Sequence, residues 1–161
     1  MNPEKMGGFP KESVPGETHT ADYKEHVLDI YKVIALADAQ NLETEQVALE
    51  TLADFKNNNH WYDTNKNWII TNELIDAYEA AKDWNVVIVQ HPEWEKEIER
   101  IKKADYETHP IIMIGDEVVD GIHRLIHAWT DGVTTIPIKR FEHLSEEELQ
   151  SLEIGEELKK K

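Results

Sequence analysis

The sequence predicts an α/β (α+β) protein: a sheet with flanking helices in the second half, preceded by an all-helical extension. Three observations carry this. From Trp84 onward, short β-branched runs alternate with stretches of helical periodicity. Residues 21–57 instead place their apolar side chains at helical spacing throughout. Between the two patterns in type, residues 118–129 (VVDGIHRLIHAW) pass from a β-branched run to an amphipathic helix at Asp120-Gly121.

Taken in order, residues 1–20 are rich in Gly, Pro and polar side chains and predict a flexible tail. They hold no apolar segment of the kind a secretory signal needs. Tyr23, Val27, Ile30, Tyr31 and Ile34 predict a helix over 21–39. Asn41 is the expected N-cap of a second helix that buries Val47, Ala48, Leu52 and Phe55 and ends at Asn57-Asn58-Asn59. His60-Trp61-Tyr62-Asp63 is an aromatic cluster, suited to packing or to stacking on a ligand ring. Trp68-Ile69-Ile70 is extended, and a helix with Leu74, Ile75, Tyr78 and Ala81 inside completes an extension over 21–83.

The predicted α/β domain covers 84–142. Residues 85–90 (NVVIVQ) predict a buried strand, broken by His91-Pro92-Glu93. A helix follows to about Ala104, with Trp94, Ile98 and Ile101 on one side. Residues 110–114 (PIIMI) and 117–119 predict a hairpin across Gly115-Asp116. The next helix keeps Ile122, Leu125, Ile126 and Trp129 on one face and stops at Gly132. Residues 136–141 read as a strand in which Pro137 points to an edge or a strand start. Ser145 and Glu148 form a capping box for a final helix within 143–161, with Leu149, Leu152 and Leu158 on its apolar side.

The net charge of −16 argues against nucleic acid, which needs Lys and Arg to displace counterions. Its plain role is solubility; its sharper one is a surface that imitates DNA or docks on a basic protein partner. Residues 84–142 are the least acidic part, with eleven acidic and seven basic side chains against sixteen and seven in residues 1–83. No apolar run reaches the ~20 residues of a membrane span. The absence of Cys removes disulfides, thiolate nucleophiles and Cys-based metal sites, which fits a cytoplasmic protein.

His123 and Arg124 stand in the first turn of a helix, where the dipole disfavours cations. An anion at the same place would reconcile them, so strand, Gly121 and helix start read as a phosphate cradle. The plain alternative makes Asp120 an N-cap and sends Arg124 to solvent. His123 and His127, four apart, have a spacing that can bind zinc, but Arg124 stands where a metalloprotease helix carries Glu. No Walker A sequence is present.

Residues 84–142 resemble the ParB/sulfiredoxin-like superfamily. The resemblance rests on Pro110-Ile111-Ile112, Val119-Asp120-Gly121, His123-Arg124, Ala128, Gly132 and Ile136-Pro137-Ile138 in that order. It implies a small mixed sheet with flanking helices, and nucleotide phosphates held by Gly121, Ile122, His123 and Arg124. Ile122 stands where sulfiredoxins carry their catalytic Cys, so their repair reaction is excluded. Chromosome-partitioning relatives, which bind CTP, continue into a basic DNA-binding domain, and the net charge of −16 makes such centromere binding not expected here. The free serine kinase branch is closer in motif, with His91-Pro92-Glu93 and Asp120-Gly121-Ile122-His123-Arg124 departing from it by the inserted Pro92 and Ile122. That likeness implies Glu93 as general base, Asp120 as a catalytic and magnesium-binding carboxylate, and ATP or ADP as phosphoryl donor to a small hydroxyl-bearing acceptor. The alternatives are a non-catalytic nucleotide-sensing or partner-binding module, and a metal-dependent nuclease.

Overall fold

The computed structural model describes residues 20–58, 60–62 and 68–154. The expected tail up to residue 19, Asn59, Asp63 and Leu158 lie outside the described residues. The chain opens with a hairpin, β1 (Thr20–Tyr23) and β2 (His26–Asp29), followed by α1 (Ile30–Ala39) and β3 (Thr44–Ala48). A 3-10 turn (Leu49–Leu52) and the single-turn α2 (Phe55–Asn58) lead to β4 (His60–Tyr62) and β5 (Trp68–Ile70). Then come α3 (Thr71–Ala81), α4 (Trp84–Gln90), a 3-10 turn (Pro92–Trp94) and α5 (Glu95–Lys103). The second half finishes with β6 (Ile111–Ile114), β7 (Glu117–Asp120), α6 (Ile122–Asp131), β8 (Thr135–Phe141) and α7 (Glu146–Leu152).

A mixed four-stranded sheet, order β3-β8-β6-β7, holds the fold together; β6 and β8 are parallel and the other pairs antiparallel. Both of its faces are buried, and β6 shows this directly. Ile111 and Met113 enter one apolar cluster while Ile112 and Ile114 enter the other. That is the two-residue period of a strand covered on both sides. The first cluster takes Ile98, Ile101, Leu125 and Ile126 from α5 and α6, with Leu74, Ile75 and Val87 from α3 and α4. The second takes Leu28, Val33 and Ala37 from the N-terminal hairpin and α1, with Leu149 and Leu152 from α7.

The expected all-helical extension is corrected. Residues 20–29 are a hairpin because Lys24 takes a left-handed turn (φ 54) and Asp29 accepts from the Tyr31 amide at 2.9 Å. Asp29 is thereby the N-cap of α1, so the helix starts at Ile30 and not at 21. Asn41, also left-handed (φ 51), follows the end of α1 and caps nothing. Val47 and Ala48 lie in a strand, pairing with Ile136 and Thr135 of β8. Leu52 and Phe55 are buried as expected, but from a 3-10 turn and one helical turn.

The predicted strand at 85–90 is a second correction. Asp83 caps α4 by accepting from the Asn85 amide at 2.8 Å, and only Val87 of the valines is fully buried. Val86 and Val89 are 40% and 82% exposed. The place beside β8 belongs to β3, and residues 85–90 pair with no strand. β-propensity, worth at most ~1 kcal/mol per residue, does not outweigh that.

The remaining elements of the second half agree with the sequence except for the length of α7, which ends at Leu152 because Glu153 turns extended and bridges to Leu28, where the expected helix continued. The hairpin β6–β7, helix α6 and β8 stand within a residue or so of their expected bounds. The Ser145–Glu148 capping box is formed, each backbone amide bonded to the other side chain at 3.1 Å. Pro137 sits in a strand that has neighbours on both sides, which its missing N–H should forbid. The register explains it: β6 begins pairing only at Ile138, so at Pro137 strand β8 has β3 alone beside it. No helix among the described residues is long and apolar enough to cross a membrane.

Candidate functional site

β7 delivers Asp120 and Gly121 to the start of α6. Gly121 is buried at φ 111, and a Cβ there would meet Ile111 at 3.0 Å and the Arg124 guanidinium at 3.2 Å. Glycine is thus required twice, by backbone conformation and by space. Gly121 is itself the N-cap of α6, and no side chain caps that end. Asp120, offered above as a cap, turns to Arg124 and accepts from its NH2 at 2.7 Å.

Arg124 neither snorkels nor opens onto a pocket. It is 1% exposed, and its NH1 donates to the carbonyls of His109 and Pro110 at 3.0 and 2.8 Å. The guanidinium is therefore a strut. It ties α6 to the loop before β6, and Asp120, four residues back, supplies the anion that the helix start was expected to require.

His123 leads to a group the sequence reading missed. Its Nε2 lies 3.2 Å from Oε1 of Glu97, a carboxylate 1% exposed on α5. Trp61 Nε1, from β4, donates to the same oxygen at 2.5 Å, and its ring meets the His123 ring edge-on at 5.4 Å. Arg100 Nε stands 3.6 Å from Oε2, which accepts no hydrogen bond among the described residues. Burial pushes the Glu97 carboxyl up, but His123, Trp61 and Arg100 together outweigh burial and hold it below the ordinary value. An ionised carboxylate only accepts, so His123 Nε2 carries a proton and donates it to Glu97. Among the described residues no hydrogen bond reaches Nδ1, and the side chain is 14% exposed.

Glu93 is exposed on the 3-10 turn, its carboxylate 3.4 Å from His91, whose ring stacks on Trp94 at 4.1 Å. The structure thus brings Asp120, Gly121 and Arg124 together, places His123 against Glu97, and leaves Glu93 at the surface. Glu97 had a signal in the sequence: with Trp94, Ile98 and Ile101 it completes the i, i+3, i+4, i+7 stripe that faces the core. A charged residue in an apolar stripe needs a buried partner.

His127, the second member of the zinc spacing, is engaged otherwise. Its Nδ1 donates to the Ala104 carbonyl at 2.8 Å and its Nε2 lies 3.4 Å from Asp131. Among the described residues no group of three or more His, Asp or Glu side chains is placed to hold a metal ion. Comparison with known proteins gives no match: no family model, no curated protein and no solved structure is similar to the chain.

Proposed function

We propose that the chain is a nucleotide-binding protein of the ParB/sulfiredoxin-like kind that transfers a phosphoryl group from ATP or ADP to a small hydroxyl-bearing acceptor. The observation that carries this reading is the Glu97–His123 pair beside the glycine that opens α6. A buried carboxylate that fixes a histidine tautomer leaves the other ring nitrogen as a proton acceptor, the arrangement general-base catalysis uses. The first-turn amides of α6, uncapped by any side chain, suit the nucleotide's phosphates.

In the proposed step the acceptor oxygen forms a bond to the terminal phosphorus while the bridging bond to the nucleotide breaks. His123 Nδ1 takes the hydroxyl proton, and Glu97 stabilises the resulting imidazolium. Arg124 holds the Gly121 turn in place and leaves phosphate contact to the backbone. Magnesium is usually held by one or two carboxylates together with phosphates, and Asp120, its side chain 16% exposed, fits that part. When bound, the ion neutralises phosphate charge. Glu93 has no role in this arrangement.

One observation favours a second reading. The cation expected to clamp phosphate is buried and committed within the chain. On that reading the protein is a non-catalytic module that meets a basic partner through its acidic surface. A nuclease is the weakest alternative, given the net charge of −16.

Calorimetric titration with ATP, ADP and CTP, with and without Mg²⁺, tests the proposal. Wild type should bind a nucleotide. His123→Asn should still bind it but lose turnover with hydroxyl acceptors such as free serine. Absence of nucleotide binding by the folded wild type would overturn the reading and leave the partner-binding one.

A further inference from the structure

A second cleft lies at the opposite end of α6. The loop before β6 and the loop leading into β8 border an open cleft of about 520 Å³. Tyr106 and Glu107 form one wall, residues 132–135 the other, and Gln46 and Pro137 the base.

Both walls are fixed before any ligand arrives. The Asp105 carboxylate accepts from the amides of Glu107 and Thr108 at 3.2 and 3.1 Å, and from the Thr108 hydroxyl. The same loop is tied to α6 through the Ala104 carbonyl by His127, and through Tyr106, whose hydroxyl donates to Asp131 at 2.7 Å. Opposite, Gly132 ends α6 in the left-handed conformation (φ 75), and the Thr134 carbonyl accepts from the Leu49 amide at 2.9 Å. Preformed walls reduce the ordering cost of binding.

The lining selects the ligand by charge and hydrogen bonding. It contains no Lys, Arg or His, and Glu107 adds a negative charge, so phosphates and carboxylates are disfavoured. The side chains of Gln46, Glu107, Thr134 and Thr135 make no hydrogen bond within the chain among the described residues, so their donors and acceptors are open to a ligand. Tyr106 is half-buried, its ring against His127 at 5.2 Å and its hydroxyl held, which makes it a rigid apolar wall. Val133 and Pro137 extend the apolar part.

We propose that this cleft binds a neutral ring bearing several hydroxyls, one apolar face of which lies on Tyr106 while its hydroxyls meet Glu107, Gln46 and the two threonines. Two sources share that chemistry, a monosaccharide and the sugar of a nucleoside. The site is distinct from the start of α6 and does not depend on the phosphotransferase reading.

Amide chemical shifts of the full chain, titrated separately with glucose, inositol, adenosine and glucose 6-phosphate, test it. A neutral ligand should give saturable shifts at Glu107 and at Val133, Thr134 and Thr135. Glucose or inositol alone would assign the sugar source, and adenosine alone the nucleoside source. Thr134→Val, at an exposed position that leaves the fold intact, should weaken binding by about tenfold, the loss of one hydrogen bond. Tyr106→Phe should keep binding, and Tyr106→Ala should lose it. No saturable shift with any neutral ligand, or shifts with glucose 6-phosphate alone, would overturn the proposal. Shifts with ATP and Mg²⁺ at Gly121 to His123 report the other site, so the two readings fail separately.

Discussion

Glu97→Ala is the sharpest test of the packing around the candidate site. Trp61 Nε1 and His123 Nε2 share one Glu97 oxygen, and the carboxylate is 1% exposed. Truncation leaves both donors without an acceptor, at about 1–3 kcal/mol each. Water reaches the partly exposed His123 more readily than Trp61, but Arg100 also loses the nearby Glu97 carboxylate. The expected cost is therefore about 3–5 kcal/mol, the range for breaking a buried ion pair. Glu97→Gln keeps an acceptor oxygen and should cost about 1–2 kcal/mol. Urea unfolding of the three proteins at neutral pH reads these values from midpoints at constant slope.

The pH dependence has a definite sign. The folded-state carboxyl of Glu97 lies below its ordinary value, so its contribution is complete at neutral pH and is lost as pH falls through that depressed value. Wild type and Glu97→Gln should converge there. A cost for Glu97→Ala of less than about 1 kcal/mol would refute the argument that Glu97 is a buried, shared acceptor.

Arg124→Ala should destabilise by about 3–5 kcal/mol, because it strands Asp120 and two carbonyls, and Arg124→Lys should recover only part of the loss. Thermal unfolding checks both, and a fully stable Arg124→Ala protein would mean the guanidinium is no strut. Leu125→Ala removes a side chain that is 0% exposed beneath α6 and should cost about 2–5 kcal/mol in the same melts. Tyr106 should ionise at about 12, held up by burial first and by its bond to Asp131 second. Since the folded form keeps that proton longer, stability should fall as pH rises from the ordinary phenol range towards that value. Ultraviolet titration should show the Tyr106 ionisation moving down in Asp131→Asn.

Where the apolar pattern and the local turn chemistry pointed the same way, the sequence was sufficient. Gly115-Asp116 between two apolar runs marks the β6–β7 hairpin, and the Ser145–Glu148 box marks α7. Leu125 and Ile126 fall on the buried stripe of α6, with Gly132 at its end. The glycine at 121 and its neighbours Asp120 and Arg124 were legible as a group because they are adjacent in sequence. Each of these features depends on contacts within a few residues.

Other features depended on partners far away in the chain. Residues 44–48 read as helix and 85–90 as strand, yet β8 accepts the first as its neighbour and leaves the second to form α4. Intrinsic preference is worth tenths of a kcal/mol per residue, while pairing with β8 and burial on it are shared over a whole strand. The same holds at the site. Arg124 as a phosphate ligand and Arg124 as a strut are identical in sequence, and the carbonyls of His109 and Pro110 decide between them. Glu97 meets His123 and Trp61 across 26 and 36 residues, so only folding shows which carboxylate the histidine faces. Local spacing determined the elements from β6 onward and the motif; long-range packing decided whether 44–48 and 85–90 became strand or helix, which strands share the sheet and which charges meet inside it.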